Sequence, residues 1–109
     1  MNKQNKNDDY PPNYFEILRV IDKKPENSQR SIANELGFSL GKLNYCLIEL
    51  RKKGIIKIKN FKSNPKKLKY FYYLTPKGLS LKTRLTINFM KRKLKEYDEL
   101  KKELETKKW

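Results

Sequence analysis

Histidine is absent from this 109-residue chain, and cysteine occurs once, at Cys46. One cysteine rules out a disulfide framework. Without histidine, a zinc site of the usual Cys/His type is ruled out as well, and the commonest general base is missing. No paired carboxylates, nucleophile–base pair or glycine-rich phosphate loop stands in the sequence, so neither a catalytic residue nor a metal or cofactor is expected, and the chain does not read as an enzyme. No apolar run exceeds about four residues, too short to cross a bilayer. The N-terminus lacks the apolar stretch of a secretory signal. These two absences predict a cytoplasmic protein with no membrane partner.

Acid is scarce too. Twelve Asp and Glu face 27 Lys and Arg, a formal net charge of +15. Self-repulsion on this scale destabilises a small domain, and a polyanionic partner relieves it. The charge is also patched. Residues 51–70 carry nine bases and no acid, and residues 77–95 carry seven and no acid. Blocks of this kind suit a phosphate-contacting surface better than a solubilising coat.

With four glycines and five prolines, punctuation is sparse enough to read. Residues 1–12 are polar, end in Pro11-Pro12, and predict a disordered arm. The expected DNA-binding domain spans 13–75. Its first helix covers 13–24, with Tyr14, Leu18 and Ile21 on one face, Phe15 and Ile17 on its flank, and Pro25 as the stop. Ser28 caps a second helix over 29–36 that buries Ile32, Ala33 and Leu36, and Gly37 stands at its C-cap. Ser39 caps a third over 40–53, with Leu40, Leu43, Leu47 and Leu50 as its buried stripe and Gly54 as its end. Two short helices around a glycine turn predict a helix-turn-helix.

After Gly54 the period becomes two. Ile56 and Ile58 alternate with Lys57 and Lys59, while Leu68, Tyr70, Tyr72 and Leu74 alternate with Lys69, Phe71 and Tyr73, predicting antiparallel strands joined by a basic link over 62–67. The fold class expected from this order is α+β, a winged helix-turn-helix with a long C-terminal helix. Thr75 and Pro76 open that last helix as N-cap and first residue. It occupies the dimerisation segment, 76–109, and runs to about residue 107, with Gly78 its one weak position. Ile87, Met90, Leu94, Tyr97 and Leu104 form a seam at three- and four-residue steps, interrupted by Lys101 and widened by Leu100. A second stripe holds Leu81, Leu85 and Phe89. One stripe serves the domain and the other a second copy, which predicts a homodimer.

With the leucine stripe of helix three turned inward, Ser39, Gly41, Lys42, Asn44 and Tyr45 face out near its N-terminus. A helix in the major groove offers these residues to base edges: Asn pairs with adenine, Lys donates to guanine, and Gly lets the backbone approach. Arg51, Lys52 and Lys53 are placed for phosphates or for the helix dipole. The wing contributes Asn60, Lys62, Ser63, Asn64, Lys66 and Lys67 toward the backbone or minor groove. The aromatic run Tyr70–Tyr73 reads as packing rather than a base-stacking platform, and Cys46 as a small packed thiol.

Several stretches carry a family resemblance: Ser39-Leu-Gly-Lys-Leu-Asn-Tyr-Cys-Leu47, Lys53-Gly54, Asn60-Phe61, Leu74-Thr-Pro-Lys-Gly78, Arg84-Leu-Thr86 and Met90-Lys-Arg-Lys93. Over 14–104 the chain resembles the small MarR-type regulators associated with extracellular polysaccharide (EPS) gene clusters. The resemblance implies a bacterial transcription factor that binds double-stranded DNA as a homodimer, helix three in the major groove. It also implies a genomic link to surface polysaccharide or lipopolysaccharide synthesis. MarR proteins of usual length often bind phenolic effectors between the DNA-binding domain and a dimer domain built from both termini. This shorter chain is expected to lack the long N-terminal helix of that arrangement, and no residue names a small-molecule effector. Two other classes share the basic composition: an RNA- or ribosome-associated winged helix and a protein-interaction module. Preference for one short duplex sequence separates the first, and dependence of DNA affinity on Asn44 the second.

Overall fold

Apolar residues on three short helices converge on one core, and a two-stranded wing and a long helix are built onto it. The computed structural model describes residues 11–23, 28–64 and 67–107. The elements run α1 (Pro12–Lys23), α2 (Gln29–Leu36), α3 (Leu40–Lys52), β1 (Ile56–Asn64), β2 (Lys67–Leu74) and α4 (Pro76–Lys107). This is the helix-turn-helix, hairpin and terminal helix expected from the periodicity. Residues 1–10 of the expected arm lie outside the described residues. Pro12 belongs to α1, where a first-turn proline sacrifices no hydrogen bond.

The caps act as their side chains dictate. The Ser28 hydroxyl accepts from the Ser31 amide at 3.0 Å, and that of Ser39 accepts from the Lys42 amide at 3.1 Å. Gly37 takes φ 72°, and the Phe38 amide donates to the Ala33 carbonyl at 2.9 Å, so the end of α2 is closed by a left-handed residue.

The core comprises Tyr14, Ile17, Leu18, Val20 and Ile21 from α1, Ile32 and Ala33 from α2, and Leu43, Cys46, Leu47 and Leu50 from α3. Ile55, Ile56, Tyr72 and Leu81 complete it, and Leu36 packs against it only partly buried. α1 meets α2, β2 and α4, so it buries more than one stripe, and Val20 and Ile17 join the expected positions. Leu40 corrects the expected stripe of α3: it is 42% exposed. It is the first residue of the helix, a turn beyond the core along the axis, and Cys46 takes its place in the buried arc. Leu47 is 1% exposed, fully enclosed by the core. Leu47→Ala should cost about 2–5 kcal/mol through the cavity it leaves, read as a lower urea midpoint at unchanged slope.

The wing is longer than its sequence suggests. β1 and β2 pair antiparallel from Ile56↔Leu74 to Asn64↔Lys67, with an irregularity between Lys62 and Asn64. The expected six-residue link is therefore mostly strand, because the pairs Lys62↔Leu68 and Asn64↔Lys67 outweigh the local turn preference, with Ser63 at the irregularity between them. Only residues 65 and 66 separate the strands.

Thr75 locks the hairpin to α4. Its hydroxyl donates to the Gly54 carbonyl at 2.6 Å, lies 3.1 Å from that of Ile55, and accepts from the Gly78 amide at 3.0 Å. Its own amide donates to the Ile55 carbonyl at 3.0 Å. The Lys77 ammonium donates to the Lys53 carbonyl at 2.9 Å. The Lys-Gly turn after α3 and the Leu-Thr-Pro-Lys-Gly start of α4 thus form one junction.

Candidate nucleic-acid interface

α3 exposes a face that follows from what it buries. At about 100° per residue, Leu43, Cys46, Leu47 and Leu50 take one side, and Gly41, Asn44, Tyr45, Ile48, Arg51 and Lys52 fall within roughly 60° of Ile48 on the other. All six are exposed, Tyr45 to 65% and Ile48 to 40%. No acid shares this face. Glu49 lies at its edge, 3.9 Å from the Lys52 ammonium and 3.8 Å from that of Lys53.

Of the positions expected from sequence, Gly41, Asn44 and Tyr45 stand together on this face. Ser39 is exposed, with its hydroxyl engaged in the cap. Lys42 lies to one side, its ammonium 4.1 Å from the centroid of the Phe38 ring. That contact holds the charge beside the helix rather than at its centre. Open space surrounds Gly41, with no atom within 4 Å of where a Cβ would sit.

Ile48 is the residue that elimination on the leucine stripe overlooks. Its signal is its position, four residues after Asn44 and three after Tyr45. It opens onto a groove between α3 and β1 lined by Ile48, Arg51, Lys52, Ile56, Lys57 and Ile58. This groove has an apolar floor and a cationic rim, and an exposed aliphatic group of this kind suits a thymine methyl.

In the wing, Asn60 is exposed and pairs in register with Tyr70. Lys62, Asn64 and Lys67 lie on the paired strands, where their backbone alone is described, and Lys66 lies outside the described residues. Of the aromatic run, Tyr72 is buried, Phe71 half-buried and Tyr73 41% exposed. Alternate burial of this kind fits packing.

Cys46 is 4% exposed. Burial pushes its thiol above the ordinary value, opposed by the charge of Lys42 and a hydrogen bond with Asn13. A buried, protonated thiol is a poor nucleophile. Among the described residues no group of His, Cys, Asp and Glu could hold a metal ion, and no helix is long and apolar enough to cross a membrane.

α4 carries the second expected surface. Leu81 is buried, Leu85 packs on the core, and Phe89 lies 5.5 Å from the Phe15 ring, so this stripe faces the domain. The Lys82 ammonium meets the Asp22 carboxylate at 3.0 Å and ties α4 to α1. The seam faces away: Ile87 is 46% exposed, Met90 62%, Leu94 63%, Tyr97 60% and Leu104 54%, with Leu100 beside them at 61%. From Met90 to Thr106 every residue is exposed.

Residues 14–57 match a family profile described as winged helix-turn-helix DNA-binding. No curated protein matches the chain. Among solved structures, Streptococcus pneumoniae FabT in complex with DNA superposes with a TM-score of 0.65 at 24% identity, over 84% of this chain and 62% of FabT. The transcriptional repressor CouR, bound to a 23-mer DNA duplex, gives 0.68 at 23% identity, over 89% and 73%. Staphylococcus aureus MarR in complex with salicylate and kanamycin gives 0.71 at 19% identity, over 86% and 61%. The chain spans less than two thirds of the length of FabT and of that MarR protein. The fold is a winged helix-turn-helix with a long C-terminal helix, shared with MarR-family structures.

Proposed function

We propose that this chain is a MarR-family transcriptional regulator that binds double-stranded DNA sequence-specifically as a homodimer. The observation that carries the reading is the outward face of α3. It joins a bare backbone at Gly41, an amide at Asn44, an aliphatic at Ile48 and cations at Arg51 and Lys52, free of acid and flanked by a basic wing. Bases are read by the first of these groups and phosphates gripped by the last. FabT and CouR, both solved with DNA, support duplex as the ligand. The resemblance to EPS-cluster regulators supports target genes of surface-polysaccharide synthesis.

The exposed seam of α4 supports the dimer. Met90 to Thr106 extends about 25 Å along the helix axis. Helices of that length are marginal alone in water, and a row of large apolar side chains left in solvent adds to the cost. A second copy covers both.

Selection from random duplex DNA, followed by affinities for the selected operator and for random duplex, tests the reading. Asn44→Ala should weaken the operator by about 1–3 kcal/mol and leave random duplex nearly unchanged. If a dimer neutralises about eight phosphates, log affinity should fall with log salt at a slope of about −7. Changing Lys62, Lys66 and Lys67 together to Ala should flatten that slope. Selection that yields no preferred sequence would overturn the regulator reading in favour of bulk nucleic-acid binding.

A further inference from the structure

Asn44 does not stand alone on the reading face. The Gln29 amide, from the first residue of α2, donates from Nε2 to Asn44 Oδ1 at 3.0 Å. Gln29 is half-buried and Asn44 exposed. The pair crosses the helix-turn-helix, joining the start of α2 to the outward face of α3.

We infer that Gln29 is a positioning residue that sets the orientation of the Asn44 amide, and through it which base α3 accepts. The inference rests on α3 entering the major groove. An asparagine amide offers a carbonyl oxygen with two lone pairs on one side and two N–H donors on the other. Free to turn, it presents either edge to a base. With one lone pair of Oδ1 held by Gln29, the second stays open and Nδ2 keeps both its donors. That is the arrangement adenine needs, since its N6 amino group donates and its N7 accepts. A reversed amide would set donor against donor and acceptor against acceptor. In water an exposed amide pair contributes little, but once duplex excludes solvent the bond strengthens and a wrong orientation leaves polar atoms unmatched. Gln29 therefore touches no base and decides the outcome through Asn44.

The substitutions follow from hydrogen-bond polarity. Gln29→Ala releases the amide. Gln29→Glu replaces the donor by a carboxylate, which accepts from Nδ2 and turns Oδ1 outward, the wrong edge for adenine N7. The position read by Asn44 is identified as the one whose preference disappears in Asn44→Ala. Affinities are then measured with all four base pairs at that position, alongside random duplex, for the wild-type chain and both Gln29 variants, with thermal melts as a check on folding.

Gln29→Ala should reduce the preference for adenine at that position by about five- to tenfold, the worth of one ordered hydrogen bond, with random-duplex affinity and melting temperature unchanged. Gln29→Glu should reduce the ratio of adenine-bearing to random affinity further than Gln29→Ala does. Added negative charge by itself would weaken both duplexes together and leave the ratio intact. An unchanged preference in Gln29→Ala overturns the inference. So does an equal loss on every duplex, which would make Gln29 a phosphate contact. If Asn44→Ala has no effect on base preference at any position, the failure lies with the reading helix itself rather than with Gln29.

Discussion

Gly78→Ala should unfold the domain at markedly lower temperature, by about 15 °C, for a loss of about 3 kcal/mol. The added Cβ would collide with the Ile55 carbonyl oxygen and crowd the Ile55 side chain. That oxygen is backbone, and it already receives the Thr75 amide, so it has nowhere to swing. Relief requires α4 to slide away from the turn after α3, breaking the Thr75 hydroxyl contacts with Gly54 and Gly78. Gly41→Ala is the control. Its Cβ meets nothing, and alanine is favoured over glycine inside a helix by about 1 kcal/mol, so this variant should melt slightly higher. It should bind DNA less well if the backbone there approaches the duplex. Thermal melts of both variants decide the first claim; equal stability of Gly78→Ala and wild type would mean that the junction has slack.

Leu94→Glu combined with Leu104→Glu should convert the full-length protein from dimer to monomer in sedimentation at tens of micromolar. Both side chains are more than half exposed in a single chain, so the substitutions leave the core untouched and the thermal melt of the monomeric domain keeps its cooperativity. In the proposed dimer they would face a partner seam, where buried unpaired carboxylates are costly. Operator affinity should fall on the order of 10²- to 10⁴-fold, because two half-sites are no longer held by one molecule. Affinity for an isolated half-site should barely change. A wild-type chain that stays monomeric at these concentrations would overturn the dimer proposal.

Local chemistry made much of the fold legible. Ser28, Gly37, Ser39 and Thr75 mark helix ends through bonds to backbone groups within a few residues, and such bonds are readable from spacing alone. The expected positions of α2 and the lower stripe of α3 followed from the helical period. What escaped depended on distant partners. Leu40 shares the rotation of the stripe but stands past the end of the core, which periodicity does not register. Ser63 and Asn64 prefer turns, yet the strand continues past an irregularity at Ser63 and Asn64 pairs with Lys67 opposite. Gly78 read as a weak point in a helix, and its reason is a carbonyl at Ile55, more than twenty residues earlier.

The interface divides in the same way. Gly41, Asn44 and Tyr45 followed from subtracting the buried leucines. Cys46 as a core residue moved the centre of the outward face to Ile48, and Gln29 became visible only once α2 was laid across α3. The wing positions Lys62, Asn64 and Lys67 are fixed in backbone register.

If two chains pair through α4 as proposed, the junction at Thr75 also determines how far apart their reading heads can stand. In the proposed dimer, α4 is a lever about 25 Å long beyond the domain, and Thr75, Lys77 and Gly78 weld its base to the end of α3. A pivot of about 10° at that weld would carry the far end of the 32-residue helix, about 48 Å away, by roughly 8 Å, more than two base steps of about 3.4 Å. Operators for paired heads demand half-sites about 34 Å apart, so a loose weld would blur the spacing by whole base pairs. In that dimer a hydroxyl bridging two chain segments and a glycine pressed against a carbonyl would work as a ruler, converting the angle between α3 and α4 into a count of nucleotides.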